Sequence, residues 1–235
     1  LMPTAIWGAA QQGKGDLEAA IESFNRALEF NTEFFEAYNN LGNALRDSGN
    51  LEAAIKNYKE AIKINANFAE AYYNMGVAFK EKDDLGSALE NYKHAINLNP
   101  NFIQAYYNVG IIQQDKGDLE LAIESYKNAL KLKPDYAEAY HNMGNALNDQ
   151  GKLDAALECF EKAVNFAPRY AEAYYNIGNV LQNKGVLDAS IENFKKAIEI
   201  NPNYIEAYNN IGNVLQEEGK LEEAVDAYGK ALNIK

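Results

Sequence analysis

The chain has 235 residues, of which 47% are hydrophobic, so it is long and apolar enough to bury a core. Its 22 Lys and Arg residues against 34 Asp and Glu residues give a net charge of −12. That charge repels phosphate backbones and anionic lipid, which excludes nucleic acid and membrane surfaces as expected partners. The single cysteine, Cys159, excludes an intrachain disulfide framework, and with the lack of an N-x-S/T sequon it predicts a cytoplasmic location. No stretch reaches the length of a membrane span, and residues 1–15 do not predict a signal peptide.

Glycine recurs at a fixed step of 34 residues, without an insertion, at Gly8, Gly42, Gly76, Gly110, Gly144, Gly178 and Gly212. A second series keeps the same step at Gly15, Gly49, Gly117, Gly151, Gly185 and Gly219, with Asp83 as its exception. A period of this length is typical of stacked structural repeats and not of a globular core. We therefore predict one array over 1–235, made of seven repeats at 1–34, 35–68, 69–102, 103–136, 137–170, 171–204 and 205–235. Positions are numbered from 1 within each repeat.

Each repeat begins with a predicted helix, named helix A, whose core face lies at positions 4, 7, 8 and 11. In the third repeat these are Tyr72, Met75, Gly76 and Phe79, which follow the i, i+3, i+4, i+7 spacing of one helical face. All 16 tyrosines of the chain fall at positions 4, 5, 24 and 34. We therefore expect the main role of the aromatic residues to be the packing of the repeats.

A second predicted helix, named helix B, has its core face at positions 17, 20, 21, 24, 27 and 28. In the second repeat these positions are Leu51, Ala54, Ile55, Tyr58, Ala61 and Ile62. Glycine at position 8 and small residues at positions 20 and 27 leave room for two helix backbones to approach, while the aromatic residues at positions 4 and 24 fill the neighbouring space. Each repeat is therefore predicted to be a pair of antiparallel helices.

Turn and capping residues agree with these boundaries. Glycine at position 15 is expected to end helix A in the left-handed conformation. The next residue, at position 16, is predicted to cap helix B where it is Asp16, Asn50, Asp84 or Asp118, and to cap it less well where it is Lys152, Val186 or Lys220. Proline at position 32 closes helix B in four repeats, and Asn or Asp at position 33 with Glu or Gln three residues later, as in Asn67 and Glu70, predicts a capping box for the next helix A.

The pattern Y-x2-[LMVI]-G-x2-[LF], with Ala at position 20, Tyr or Phe at 24, Ala at 27 and Pro at 32, resembles the tetratricopeptide repeat along the whole chain. Two departures are Tyr in place of the frequent Trp at position 4, and Gln113 where a larger apolar residue is usual. The resemblance implies an all-α, right-handed superhelical solenoid of antiparallel helix pairs. It also implies that the A helices form a concave wall and that the chain binds peptide segments of other proteins.

Asparagines repeat on the face of helix A that lies away from its core. At position 6 they are Asn40, Asn74, Asn108, Asn142, Asn176 and Asn210, and at position 9 they are Asn43, Asn145, Asn179 and Asn213. Each amide offers a donor and an acceptor that match the N–H and C=O groups of an extended backbone, so the series predicts a peptide-binding face. The alternative is that a solvated polar face of this family carries asparagine without any ligand.

The asparagine series is similar to the asparagine-lined superhelix of O-linked N-acetylglucosamine transferases, whose repeat region recruits protein substrates. The resemblance implies peptide contacts above all for Asn74, Asn108, Asn142 and Asn176. At position 5, Tyr73, Tyr107, His141 and Tyr175 either stack on a ligand or pack against neighbouring helices.

Some relatives hold a ligand's terminal carboxylate with Lys at positions 2 and 5 and Arg at position 6. Glu, Tyr and Asn stand at those positions here, although the Glu at position 2 also fits the predicted capping box. The partner is therefore expected to be neutral or basic and not acidic.

The sequence predicts no catalytic activity, because it holds only two histidines and one cysteine and no convergent set of reactive groups. His94 lies on a helix B, far from His141, and Cys159 stands beside a core position, where we expect an inert thiol. No metal-ligand spacing, phosphate loop or dinucleotide turn is present, so neither a metal nor a cofactor is expected.

Terminal repeats of solenoids are usually polar on their outer face. Here the first repeat is atypical, with Thr4, Ile6 and Trp7, and the seventh stops at Lys235 without a capping helix. Two explanations stay open, a piece of a longer protein or ends that pair with another copy.

The leading interpretation is a scaffold that binds an extended peptide in its concave groove. The alternatives are the substrate-recruiting arm of a larger enzyme, such as a glycosyltransferase, and a self-assembly module.

Overall fold

The computed structural model describes residues 16–234, and all regular secondary structure in that range is α-helical. Thirteen helices follow one another within it: α1 Leu17–Phe30, α2 Phe35–Asp47, α3 Leu51–Ile64, α4 Ala69–Glu81, α5 Leu85–Leu98, α6 Ile103–Asp115, α7 Leu119–Leu132, α8 Ala137–Asp149, α9 Leu153–Phe166, α10 Ala171–Asn183, α11 Leu187–Ile200, α12 Ile205–Glu217 and α13 Leu221–Asn233. Even-numbered helices are the A helices of repeats 2 to 7, and odd-numbered helices are the B helices. The predicted helix A of the first repeat, with Thr4, Ile6, Trp7 and Gly8, lies outside the described residues, as does Lys235.

Helices pack in sequential antiparallel pairs, as the repeat pattern predicts. Within one repeat, α2 packs on α3, α4 on α5, α8 on α9, α10 on α11 and α12 on α13. A helix B also packs on the helix A that follows it, as α3 does on α4 and α9 on α10. The contacts group the chain into two compact units, one ending at Ile112 and one beginning at Gln113. The all-helical, paired fold class is confirmed, whereas one continuous array over 1–235 stays a prediction.

In repeats 2, 3, 5, 6 and 7 the aromatic residue at position 24 packs on the glycine at position 8. Tyr58 and Phe194 are fully buried at position 24. A Cβ atom added to Gly42 would lie 2.5 Å from a ring carbon of Tyr58, and one added to Gly178 would lie 2.5 Å from a ring carbon of Phe194. Carbon atoms cannot approach so closely, so the periodic glycine is a requirement of helix packing.

The turn between the two helices of a repeat needs a left-handed residue. Its φ angle is +84° at Gly49 and between +73° and +81° at the four other described members of the series, Gly117, Gly151, Gly185 and Gly219. Asp83 adopts the same conformation, with φ of 62°, although it carries a side chain. The predicted left-handed end of helix A is thereby confirmed, and aspartate is among the non-glycine residues that tolerate it best.

Side-chain capping of helix B is confirmed at Asp16, Asn50 and Asp84, each of which accepts a hydrogen bond from a backbone N–H three residues later, over 3.0–3.2 Å. The prediction is wrong for Asp118, which makes no side-chain capping bond. Its backbone also differs, with a ψ angle of 61° against 72–77° at the three capping residues.

The predicted capping box at the start of helix A is wrong. These helices begin one residue later, with an aromatic N-cap such as Phe68 or Tyr204 that makes no side-chain capping bond. A capping box needs Glu or Gln as the third residue of the helix. That residue is alanine here, because the Glu at position 2 of the repeat is the second residue of the helix. Instead, asparagine at position 31 accepts a hydrogen bond from the N–H two residues on, over 3.1 Å, at Asn31, Asn65, Asn99 and Asn201. This Asx turn directs the chain into the next helix.

Candidate functional site

The candidate site is the side of the A helices that carries positions 5, 6 and 9, here named the asparagine face. Its predicted members lie on α2, α4, α6, α8, α10 and α12, and they are partly buried except for Asn213, which is exposed, and His141, which is buried. Tyr107 on α6 and Asn142 on α8 occupy the same positions as their counterparts. Its members up to Asn108 belong to the unit that ends at Ile112, and the others to the unit that begins at Gln113.

The asparagines at position 6 bind the preceding repeat through their amide nitrogens. In four of the six, Nδ2 donates to the residue at position 5 of the repeat before it, 35 residues earlier in the chain: Asn74 to Asn39 Oδ1 at 2.9 Å, Asn108 to Tyr73 Oη at 3.2 Å, Asn176 to His141 Nε2 at 3.0 Å, and Asn210 to Tyr175 Oη at 3.2 Å. These four asparagines therefore link their repeats to the preceding ones by hydrogen bonds. This structural role is separate from any contact with a ligand.

Two of these nitrogens donate a second time. Asn176 Nδ2 donates to Asn145 Oδ1 at 2.9 Å, and Asn210 Nδ2 donates to Asn179 Oδ1 at 2.7 Å. An amide nitrogen carries two hydrogens, so both are used at each of these residues. The Oδ1 atom of Asn176 and Asn210 accepts no hydrogen bond from the residues that the structure describes. At these two residues the asparagine face therefore offers acceptors and not donors.

Position 9 has one of two partners, depending on the residue at position 24. Where position 24 is tyrosine, its hydroxyl donates to the asparagine, as in Tyr58 to Asn43 and Tyr228 to Asn213, both at 2.8 Å. Where position 24 is phenylalanine, in repeats 5 and 6, the asparagine accepts from the next repeat instead. The choice between Tyr and Phe at position 24 is thus a sequence signal for the partner of position 9, which our sequence reasoning missed.

The rings at position 5 pack into the aromatic core of their own repeat. Tyr73 lies 5.6 Å from Tyr92 and 4.7 Å from Phe102 between ring centroids. His141 and Tyr175 make the equivalent contacts with positions 24 and 34 of repeats 5 and 6. Burial raises the pKa of Tyr73, and the hydrogen bond from Asn108 lowers it in part. These rings therefore present a polar edge, and not a free face, beside the asparagines.

His141 is neutral and its tautomer follows from its neighbours. Burial lowers its pKa, so the neutral imidazole is favoured. Because Asn176 donates to Nε2 at 3.0 Å, the ring hydrogen is on Nδ1, which lies 3.3 Å from the acceptor Asn142 Oδ1. The imidazole thus joins Asn142 to Asn176 in one hydrogen-bonded chain.

Two further polar pairs were not recognised from the sequence. Gln113, noted only as a departure at position 11, is buried and accepts a hydrogen bond from Ser125 at 2.6 Å. Beside it, Gln114 accepts from the hydroxyl of Tyr126 at 2.8 Å. Serine at position 23 of the same repeat was the available signal for the first pair.

Cys159 on α9 is buried. Burial raises the pKa of the Cys159 thiol to about 11, which makes it a poor nucleophile. In residues 16–234 no group of three or more His, Cys, Asp or Glu side chains could hold a metal ion. None of the helices in that range combines the length and the apolar character that crossing a membrane requires.

Three solved structures show what the fold is similar to. MamA is 30% identical in sequence over 70% of this chain and 96% of its own, with a TM-score of 0.64. YrrB, described as a TPR protein with an unusual peptide-binding site, is 28% identical over 80% of this chain and 96% of its own, with a TM-score of 0.69. The C-terminal part of a TPR repeat-containing protein from Cytophaga hutchinsonii reaches a TM-score of 0.80 at 16% identity, over 97% of this chain and 94% of its own, and shows the fold alone.

Family comparison agrees with the repeat pattern. A TPR repeat model matches residues 13–45, 42–83, 78–117, 114–147 and 144–185, and a tetratricopeptide repeat model matches residues 169–235. A comparison with curated proteins finds no match. The helix pairs, the periodic glycines and these matches together place the chain in the tetratricopeptide-repeat family, whose members act as protein-interaction scaffolds.

Proposed function

We propose that the chain binds an extended segment of a partner protein along the asparagine face, in the concave groove that the family resemblance predicts. The proposal rests on one observation: within four of these amides, the nitrogen has a hydrogen-bond partner in the protein and the oxygen has none among the described residues. The nitrogens of Asn74, Asn108, Asn176 and Asn210 are held by the preceding repeat, while their Oδ1 atoms accept no bond from residues 16–234. A row of fixed acceptors suits the backbone N–H groups of an extended chain.

The spacing of the acceptors supports this occupant. Packed helices lie roughly 8–10 Å apart, and an extended chain advances roughly 3.3 Å per residue. Within each compact unit, the two acceptors on consecutive repeats therefore lie about three ligand residues apart. Because each amide is already oriented by its bonds to the preceding repeat, binding does not have to order it, which favours affinity.

The charge of the chain favours a neutral or basic segment. The net charge is −12, and the exposed Glu residues at position 2 of the A helices, such as Glu70 and Glu172, add negative charge to the repeats that carry the face. An acidic segment would be repelled. Peptide binding is also the property named for YrrB, which is 28% identical.

We further propose that the chain catalyses no reaction and works in the cytoplasm. The high pKa of the buried Cys159 thiol supports the first statement. The second is supported by a single, buried cysteine, because proteins of oxidising compartments commonly carry paired cysteines.

The test begins with selection of phage-displayed random 12-residue peptides against the chain. A selected peptide is then resynthesised with one backbone amide at a time N-methylated, which removes the N–H donor and leaves the side chain. We expect fluorescence anisotropy to show losses of about tenfold at residues about three apart, since one hydrogen bond to a fixed acceptor is worth about 1.4 kcal/mol. Uniform tolerance of N-methylation would contradict the proposal.

A protein control separates the asparagine face from asparagines in general. Changing Asn74, Asn108, Asn176 and Asn210 together to Ala should abolish capture of the selected peptide. Asn57, Asn91 and Asn193 lie on B helices and bond only to the carbonyl four residues earlier in their own helix. Their change to Ala should leave binding intact, with circular dichroism confirming that both variants are folded.

A second candidate function, self-association, is favoured by α13. Leu221, Val225 and Leu232 are 63%, 69% and 85% exposed. The equivalent residues of α11, which include Ile191 and Ile198, are packed against the core by the helix A that follows. A second copy of the chain would offer a helix of that kind. Ultracentrifugation should show mass rising with concentration, and less so for Leu232→Lys; a strict monomer at high concentration would rule it out.

A further inference from the structure

The hydroxyl of Tyr92 differs from those of the other tyrosines at position 24. Its residue is fully buried, and its oxygen has no hydrogen-bond partner among the described residues. The corresponding hydroxyl of Tyr58 donates to Asn43, that of Tyr228 to Asn213 and Gln216, and that of Tyr126 to Gln114. A buried polar group without a partner is costly and rare, so this exception calls for a physical cause.

The cause is a change of sequence in the third repeat. Position 9, which is Asn43 or Asn213 in the bonded repeats, is Val77 here, and position 12, which is Gln114 in the fourth repeat, is Lys80. Valine has no polar atom and the lysine ammonium has no acceptor. Burial also raises the pKa of Tyr92 well above its usual range, so the hydroxyl keeps its hydrogen and stays a donor.

A cavity of about 350 Å³ lies at the same place on the asparagine face, lined by Tyr73, Val77, Lys80, Glu81, Tyr92 and Asn108. Its volume is at the lower end of small-molecule sites, enough for one side chain of a ligand. All six residues belong to the compact unit that ends at Ile112. Because the Tyr92 hydroxyl is buried, a ligand group must enter the cavity to reach it, which a side chain can do and a peptide backbone on the surface cannot.

The charges around the cavity balance one another, since Lys80 is positive and Glu81 is negative. An ionised ligand group of either sign would therefore meet a like charge as well as an opposite one. Glu81 is in turn only loosely paired, with its Oε1 3.8 Å from Arg46 Nε. The lining thus combines donors at Tyr92 and Lys80 with acceptors at Glu81 and Asn108 Oδ1, which suits a neutral group that carries both an acceptor and a donor.

We propose that this cavity is a subsite for the side-chain carboxamide of a glutamine or asparagine residue in the bound segment. Its carbonyl oxygen accepts from Tyr92 Oη–H, its NH₂ group donates to Asn108 Oδ1, and its methylene groups lie against Val77. The inference rests on the proposed function for its biological meaning. It adds one contact that depends on a ligand side chain to a face whose other proposed contacts are with the ligand backbone.

Small capped amino acids test the subsite without a peptide. The probe is N-acetylglutamine methylamide, titrated into isotope-labelled protein, with the side-chain amide of Asn108 and the methyl groups of Val77 as NMR reporters. The matched probes are the norleucine and glutamate analogues. We expect saturable shifts with the glutamine probe and at least about tenfold weaker binding of the two others, as for the loss of one hydrogen bond.

Two variants connect the shifts to Tyr92. Tyr92→Phe places at this position the residue found in repeats 5 and 6, and should weaken the glutamine probe by about tenfold. Val77→Asn supplies the acceptor used in repeats 2 and 7, so it should satisfy the hydroxyl internally and abolish the shift at Asn108. Absence of saturable shifts, equal binding of norleucine, preference for glutamate, or indifference to Tyr92→Phe would each overturn the subsite. The result is independent of the peptide selection, so either proposal can fail alone.

Discussion

The unpartnered hydroxyl of Tyr92 predicts that one substitution has opposite effects in two repeats. Tyr58 and Tyr92 occupy the same position of neighbouring repeats, and both are fully buried. They differ in their hydroxyls, because Tyr58 donates to Asn43 at 2.8 Å whereas Tyr92 has no partner in the described chain. Tyr→Phe therefore removes a hydrogen bond at residue 58 and a desolvated polar group at residue 92.

The magnitude follows from the energetics of buried polar groups. Loss of the Tyr58 bond should cost about 0.5–1.5 kcal/mol. A buried group without a partner costs about 1–3 kcal/mol, so Tyr92→Phe should stabilise the fold by about 1 kcal/mol, the lower end of that range. The two variants should consequently differ by about 2 kcal/mol in free energy of unfolding, in opposite directions from the parent.

The assay has to be local, because arrays of repeats need not unfold in a single step. Native-state hydrogen exchange should show slower exchange in α5 for Tyr92→Phe and faster exchange in α3 for Tyr58→Phe. Urea unfolding followed by circular dichroism should rank the variants in the same order. Tyr126→Phe is a further control that should resemble Tyr58→Phe, since its hydroxyl donates to Gln114. If Tyr92→Phe destabilised the chain as much as Tyr58→Phe, the argument for an unsatisfied hydroxyl would be refuted.

Three more outcomes are expected. Burial in the fold lowers the pKa of His141, so its contribution to stability is present above about pH 6.5 and is lost as the pH falls through the folded pKa. His141→Tyr, which places here the residue of repeats 3, 4 and 6, should abolish that loss in urea titrations at pH 7.5 and 5.5. Gly178→Ala should destabilise the fold by about 1–3 kcal/mol, because the added methyl group clashes with Phe194. Gly229→Ala, whose added methyl group meets nothing within 4 Å, should stabilise α13 by about 0.5–1 kcal/mol. Thermal melts that failed to separate the two variants would contradict the packing argument. Asp83→Gly should raise the melting temperature by relieving the left-handed backbone at φ 62°, and an unchanged value would show that the strain is negligible.

Much of the fold could be predicted because a 34-residue repeat is built from local rules. Core faces of the helices follow from a period of 3.6 residues, and the ends of helix A follow from glycine in the left-handed region. The approach of the Tyr58 ring to Gly42 did not follow, because the pattern predicted close backbones and nearby aromatic residues but not which of them meet. The starts of helix A did not follow, because Asn65 and its equivalents form an Asx turn that competes with the predicted capping box.

The asparagine face was predicted in its residues but not in its bonding. Periodicity places Asn74 and Asn108 on one side of successive A helices, and this side is where they are found. Their partners lie 35 residues earlier in the chain, a relation that depends on how one repeat sits on the next. The peptide contact of these residues stays a prediction, as do the right-handed superhelix and the arm of a larger enzyme.

The amino-acid sequence alone was enough to define the repeat, its two helices, the family and the face that carries the asparagines, because those properties depend on residue spacing along the chain. Packing between helices was needed to show that the amide nitrogens of Asn176 and Asn210 are occupied and that the hydroxyl of Tyr92 is not. The reason is physical. A hydrogen bond is satisfied or lost over a few tenths of an ångström, and such distances are set by the packing of neighbouring helices and not by their order in the sequence.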